Sequence, residues 1–172
     1  ITRSMQDRAD KLSAEAYEIN KKRVTITQLS NLALKLYSWY VKHGHARNEE
    51  DEKEVKKYFY DNLPAEALKL TGFYERLYLY QSHCWEAFIR QDFLMYYRYT
   101  QKWVDRFNDQ PVMIDIEEGH YIKGMHNVMN GHFDLRNFKK FDETLDAFTR
   151  FSESETAKKH DNNKVQTFVY LT

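Results

Sequence analysis

The feature that most constrains the fold of this chain is a self-similarity that recurs about every 44 residues. The stretches around Gly44, Ala87 and Gly131 resemble one another, because each closes an apolar amphipathic segment with a small residue. A polar connection and a second amphipathic segment follow each of them. Repeats with a period of about 20 to 50 residues usually form stacked pairs of helices. The recurrence therefore predicts an array of helical pairs.

Composition agrees with a helical array. The chain of 172 residues contains five glycines and two prolines, too few for the many tight turns of an all-β fold. We expect residues 1–172 to form a single all-α domain, with antiparallel helix pairs wound into a right-handed α-solenoid. It would hold about three repeats and a partial repeat at each end.

Apolar residues at steps of three and four predict the individual helices. The predicted ranges are 4–22, 24–43, 48–61, a short helix after Pro64, 73–88, 91–107, 114–130 and 135–151. Gly44 is a predicted helix stop and Asn48 a predicted N-cap. Phe138, Phe141 and Phe148 share one helix face, so we expect them to be buried together.

The third repeat resembles a tetratricopeptide repeat. That family places small residues seven apart in its first helix, as Gly124 and Gly131 are here, and an aromatic residue follows at Phe133. With one residue inserted, the second helix of the motif matches Asn137, Phe141 and Thr144. The second repeat matches through Ala87, Phe93, Tyr97 and Thr100, and the first through Gly44, with Tyr37 in place of the first glycine. The period here is longer than the family's, and the closing proline of the family is absent.

The resemblance implies a concave groove, lined by the first helix of each pair, that docks a protein or peptide ligand. Carried over position by position, it implies a partner-binding groove of nine residues. They are Asn31, Ser38, Lys42, Tyr74, Gln81, Trp85, Tyr121, Met125 and Met129. The ligand could belong to another protein or to another domain of the same chain.

The residue pattern does not favour catalysis, a cofactor or a metal. His120, His126 and His132 recur every six residues, a spacing that turns each side chain about 120° from the last around a helix. A zinc pair on one helix needs a spacing of four, so we expect structural roles for these histidines. Cys84 lies in an apolar row and is predicted to be a buried, inert thiol. Glu117 and Glu118 beside His120 are explained as acidic residues at a helix start.

Two alternative functions stay open at this point. One is a nucleic-acid-binding helical repeat, since Arg76, Arg90, Arg98 and Arg106 alternate with aromatic residues between Phe73 and Phe107. A formal net charge of zero argues against it. The other is a ligand-sensing regulatory domain, which would need a pocket with converging polar groups.

The cellular location of the chain is predicted from its apolar runs, its N-terminal segment and its cysteine content. No apolar run is long enough to span a membrane, no signal-peptide pattern occurs, and the single cysteine fits a reducing compartment. We therefore expect a cytoplasmic protein. The chain begins at Ile1 and ends on the apolar segment 165–171, which suggests a fragment of a longer protein that could self-associate through its C-terminal helix.

Overall fold

The computed structural model describes residues 2–154, and this part of the chain is all-α, as predicted. It contains helices and turns and no strand. In chain order the helices are α1 (Thr2–His43), α2 (Glu49–Asn62), α3 (Phe73–Ile89), α4 (Phe93–Asp109), α5 (Val112–Ile116), α6 (Glu118–Asp134) and α7 (Phe138–Ser152). The predicted C-terminal segment 165–171 lies outside the described residues.

The two predicted helices at the N-terminus are one continuous helix of 42 residues. No glycine or proline separates them, and the hydroxyls of Thr25 and Thr27 donate to the carbonyls of Lys21 and Arg23 one turn earlier. Each hydroxyl therefore finds its acceptor within the helix, and neither threonine interrupts it. The expected break between residues 22 and 24 was therefore wrong.

Two other helix boundaries differ from the prediction. The segment after Pro64 forms hydrogen-bonded turns, such as the bond from Ala67 N to Pro64 O, and not a short helix. The predicted helix 114–130 is interrupted at Glu117, whose φ of −124° and ψ of 43° separate α5 from α6. The interruption lets the chain change direction between the short α5 and the long α6.

The predicted helix stop at Gly44 and the predicted N-cap at Asn48 are confirmed. Gly44 has a φ of 74°, the left-handed conformation that favours glycine after a helix, and its N–H donates to Tyr40 O. The Asn48 side chain accepts hydrogen bonds from the N–H groups of Glu50 and Asp51. These two residues therefore set the end of α1 and the start of α2.

The helices pack in the order α1, α3, α4, α6 and α7, and α2 lies beside α1 and α3. α3 buries residues on more than one side and lies between two neighbours, α1 and α4. The turns after α3 and α6 share one geometry. Each has a residue with positive φ, Gln91 or Arg136, followed by an N-cap, Asp92 or Asn137. The two turns therefore join α3 to α4 and α6 to α7 in the same way.

The predicted phenylalanine cluster on α7 is correct only in part. Phe148 is fully buried, against Met125 and Met129 of α6 among others, and Phe141 packs at the edge of the same cluster. Phe138 is 55% exposed. It stands at the first residue of α7, beyond the reach of the core, so its inclusion in the buried set was wrong.

Gly124 and Gly131 allow α6 to approach α4 closely. A Cβ atom at Gly124 would lie 3.0 Å from Trp103 Nε1 and 3.2 Å from Val104 Cγ2. At Gly131 it would lie 3.2 Å from Tyr97 Cβ. Both glycines are buried, so these small residues set the distance between the two helices.

We expect Gly124→Val to lower the free energy of unfolding by about 1–3 kcal/mol, because the added carbons overpack the contact with Trp103. Gly119, on the same helix, has open space around it. Gly119→Ala is the matched control and should raise stability by up to about 1 kcal/mol through helix propensity alone. Urea unfolding followed by circular dichroism measures both changes. A Gly124→Val variant as stable as the wild type would contradict the packing described here.

Candidate functional site: a groove between four helices

A groove of about 660 Å³ opens between α1, α3, α4 and α6, and we call it the inner groove. Its aromatic lining residues are Tyr37, Trp85, Phe88, Tyr96 and Trp103. Its main polar lining residues are Gln81, Lys123, Asn127 and Asn130. A few polar groups set into an apolar cleft are typical of binding sites.

One wall of the inner groove is a row of aromatic rings that runs from α1 to α4. The ring centroids are 5.3 Å apart for Tyr37 and Trp85, 5.8 Å for Trp85 and Phe88, and 6.0 Å for Phe88 and Tyr96. Tyr37 remains 48% exposed. Rings packed against one another keep few alternative rotamers, so this wall offers apolar surface at low entropic cost.

A polar stripe on α6 also lines the inner groove. Lys123, Asn127 and Asn130 follow one another at steps of four and three, which places them on one helix face. Asn130 contacts the His126 ring, with 3.4 Å between its amide nitrogen and Nδ1. On α3, the Gln81 amide nitrogen lies 2.9 Å from His120 Nδ1. These contacts hold two of the amides that border the groove.

The floor of the groove carries a polar atom without a partner. Trp103 is 2% exposed, and its Nε1 has no hydrogen-bond partner among residues 2–154. Buried indole N–H groups usually donate a hydrogen bond, and a missing one costs stability. Cys84 also lines the floor, and burial raises the pKa of its thiol, although nearby Lys123 opposes the shift. The predicted burial of this thiol is confirmed, and a thiol with a raised pKa forms little of the reactive thiolate.

The charge of the inner groove is positive. Lys123 is the one charged residue among its described lining residues, and no carboxylate faces it there. The groove therefore combines an apolar wall, amide groups and one cation, and it complements an apolar ligand that also carries an acidic group.

Two of the nine predicted groove residues line the inner groove, namely Gln81 and Trp85 of α3. Asn31, Ser38 and Lys42 of α1 instead line a separate outer groove of about 900 Å³, between α1 and the segment that includes α2. The α1 residues at the inner groove are Ser30, Ala33 and Tyr37, which lie on a neighbouring face of the same helix, and Leu34, which borders both grooves.

The other predicted groove residues lie within the helix packing. Met125 and Met129 are buried in the core between α6 and α7, so these two positions do not line a surface groove. Tyr121 is half-buried beside the same core. The Tyr74 hydroxyl donates to Glu117 Oε1 over 2.8 Å, and this bond raises the tyrosine pKa. The spacing of the polar residues Lys123, Asn127 and Asn130 at steps of four and three was the sequence signal that would have located the α6 side of the groove.

The histidines are spread over separate packing contacts. His83 stacks on Tyr99 with ring centroids 4.0 Å apart, and burial lowers its pKa to about 4. His43 packs on Trp39, His132 on Tyr97, and His45 Nδ1 lies 3.0 Å from Phe88 O. Among residues 2–154, no three histidine, cysteine or acidic side chains lie close enough to hold a metal ion.

Comparisons of the chain with family models, with curated proteins and with solved structures found no match. In the described part of the chain, no helix has the length and the apolar character needed to cross a membrane.

Proposed function

We propose that this chain is a protein-interaction module of tetratricopeptide-repeat-like type that binds a peptide segment in the inner groove. The observation that carries the proposal is the pairing of the aromatic row with the polar stripe Lys123, Asn127 and Asn130 across one cleft. Rigid aromatic side chains supply contact area, and amide side chains supply hydrogen bonds to a peptide backbone. The peptide belongs to a partner protein or to another domain of the same polypeptide.

The proposed architecture is a right-handed solenoid of antiparallel helix pairs. The shared turn geometry at Gln91 and Arg136 supports it, because the turns join α3 to α4 and α6 to α7 in the same way. The first helices of the three pairs, α1, α3 and α6, all border the inner groove. That is the placement expected for a ligand groove in such an array.

The position of the arginines favours a protein ligand over a nucleic acid. Arg90 is largely buried and binds Glu86 through two hydrogen bonds. Arg106 pairs with Asp109, and Arg76 donates to the carbonyl of Leu68. These arginines serve contacts within the chain, whereas phosphate recognition needs a basic surface.

The proposal assigns the chain no catalysis and no cofactor. The Cys84 thiol is buried and protonated, and Glu117 accepts a hydrogen bond from Tyr74, so neither is a free nucleophile or base. A cytoplasmic location stays a prediction from the sequence.

Display of random dodecamer peptides against the immobilised protein tests this function. We expect enrichment of peptides in which an acidic residue lies next to an aromatic or aliphatic one. Tyr37→Ala and Lys123→Glu should each weaken binding of the enriched peptides about tenfold or more, because both side chains face the groove. Both residues are exposed, so the fold should be unaffected.

Lys53→Glu is the matched control, because it makes the same charge change as Lys123→Glu at an exposed residue of α2. This variant should bind the peptides as the wild type does. The proposed function loses its support if the display enriches no peptide sequence. It also loses it if the enriched peptides bind the Tyr37→Ala and Lys123→Glu variants as tightly as the wild type.

A further inference from the structure

The first half of α1 is a long helix without a described neighbour. Every residue from 4 to 24 is exposed, whereas the buried residues of α1 begin at Thr25. Twenty-one helical residues span about 30 Å. Helices in proteins draw most of their stability from packing an amphipathic face, so a helix of this length and exposure points to a partner.

The exposed half of α1 carries a narrow apolar seam. Its members follow one another at alternating steps of four and three, the spacing of a two-helix coiled coil. They are Met5, Ala9, Leu12, Ala16 and Ile19. The three large members are 67%, 58% and 55% exposed. The charged residues of this half lie outside the seam, as on the flanks of a coiled coil.

The sizes along the seam alternate strictly between large and small. In an antiparallel pair of identical helices, each large residue can face a small one, so all layers have similar volume. In a parallel pair, Leu12 would face Leu12 and Ala9 would face Ala9, which alternates crowded layers with empty ones. The alternation therefore selects a second copy of this chain in the antiparallel direction.

We propose that two copies of this chain pair through residues 5–19 of α1 as an antiparallel coiled coil, with Met5 facing Ala16 and Leu12 facing Ala9 of the second copy.

The flanking charges select the same register. Arg8 and Glu15 each stand one residue before a seam alanine, and in this register they meet across the interface, twice by symmetry. A shift by one heptad would place Glu15 opposite Glu15 and Arg8 opposite Lys22, which are like-charge contacts. A parallel pair would bring Arg8 next to Ser13 and form no charge pair. Charge and size thus agree on one arrangement.

Sedimentation equilibrium of the 172-residue chain at concentrations up to about 1 mM tests the pairing. The contact spans only about two heptads, so we expect a weak dimer whose population rises with concentration. Arg8→Glu and Glu15→Arg should each weaken the dimer roughly five- to tenfold, since two attractive pairs become repulsive. The double variant Arg8→Glu with Glu15→Arg restores opposite charges and should recover wild-type affinity.

Lys11→Glu is the matched control, because it makes the same charge change as Arg8→Glu away from the seam. All these positions are exposed, and the exchanged residues are good helix formers, so the variants should fold. A protein that stays monomeric at the highest concentration overturns the proposal. So does a double variant that binds no better than the single ones, or a dimer unaffected by Leu12→Asp.

The direction of pairing can be measured separately. In a Lys22→Cys variant, a spin label should lie about 35 Å from its counterpart in the proposed antiparallel dimer, at 1.5 Å per residue. Cys84 is buried, so the introduced cysteine reacts selectively. Two labels within about 15 Å of each other would indicate a parallel pair and contradict the register, given the width of two packed helices.

Discussion

Arg90→Ala is expected to lower the free energy of unfolding by about 3–5 kcal/mol, the usual cost of removing one partner from a buried ion pair. The side chains of Arg90 and Glu86 are 10% and 9% exposed. Arg90 Nε lies 2.6 Å from Glu86 Oε1, and Nη2 lies 3.2 Å from Oε2. Alanine at position 90 would leave the Glu86 carboxylate buried without its counter-charge.

The same guanidinium connects three parts of the fold. Besides Glu86 of α3, it lies 3.4 Å from Asp92, the N-cap of α4, and 3.9 Å from Glu52 of α2. Its loss should therefore loosen the first turn of α2 around Glu52, while Val55 and Phe59 keep the middle of α2 packed in the core. Hydrogen exchange of the α2 amides, compared with those of α6, would show this local effect.

A double variant separates charge from packing. Glu86→Leu combined with Arg90→Met removes both charges while keeping the volume, and such exchanges are often close to neutral. We expect the double variant to be more stable than Arg90→Ala in urea. If Arg90→Ala unfolds at the wild-type urea concentration, the pair is not the buried contact described here.

Phe148→Ala is expected to cost about 3–5 kcal/mol, the range for removing a phenylalanine from a packed core. Phe148 is fully buried, and its cluster joins α6 and α7 to Val104 of α4. The cavity would be lined by Ile122 and Met129, which sit on a long helix and cannot collapse into it freely. Thermal or urea unfolding measures the loss.

Phe138→Ala is the control on the same helix, with the same chemical change at a 55% exposed site. Its expected cost is below about 1 kcal/mol. Phe141, at the edge of the cluster, should fall between the two. Equal losses at positions 138 and 148 would mean that α7 is rotated relative to its position here.

The helices themselves were predictable from local chemistry. Asn48 accepts from the next turn, Gly44 adopts a positive φ, and steps of three and four mark α2, α3, α4, α6 and α7 within a few residues. Each of these signals acts over about one turn, so one sequence is enough to read it. The continuity of α1 was missed because a charged stretch at residues 21–23 looks like a connection although nothing in it breaks a helix.

Few residues of the candidate site could be chosen from the sequence. Of the nine residues that the repeat pattern assigned to a groove, Gln81 and Trp85 of α3 line the inner groove. On α1 the pattern chose Asn31 and Ser38, which line the outer groove, whereas Tyr37 lines the inner groove and Leu34 borders both. On α6 it chose Met125 and Met129, which the packing of α7 buries.

The sequence by itself determined the helical class of this protein and the approximate ends of most of its helices. Only the tertiary structure decided which sector of each helix faces a neighbour and which faces the groove. The physical reason is that a wide apolar arc can be covered by a neighbour on either side. The choice depends on crossing angles and on close contacts, such as Gly124 against Trp103, between residues far apart in the chain.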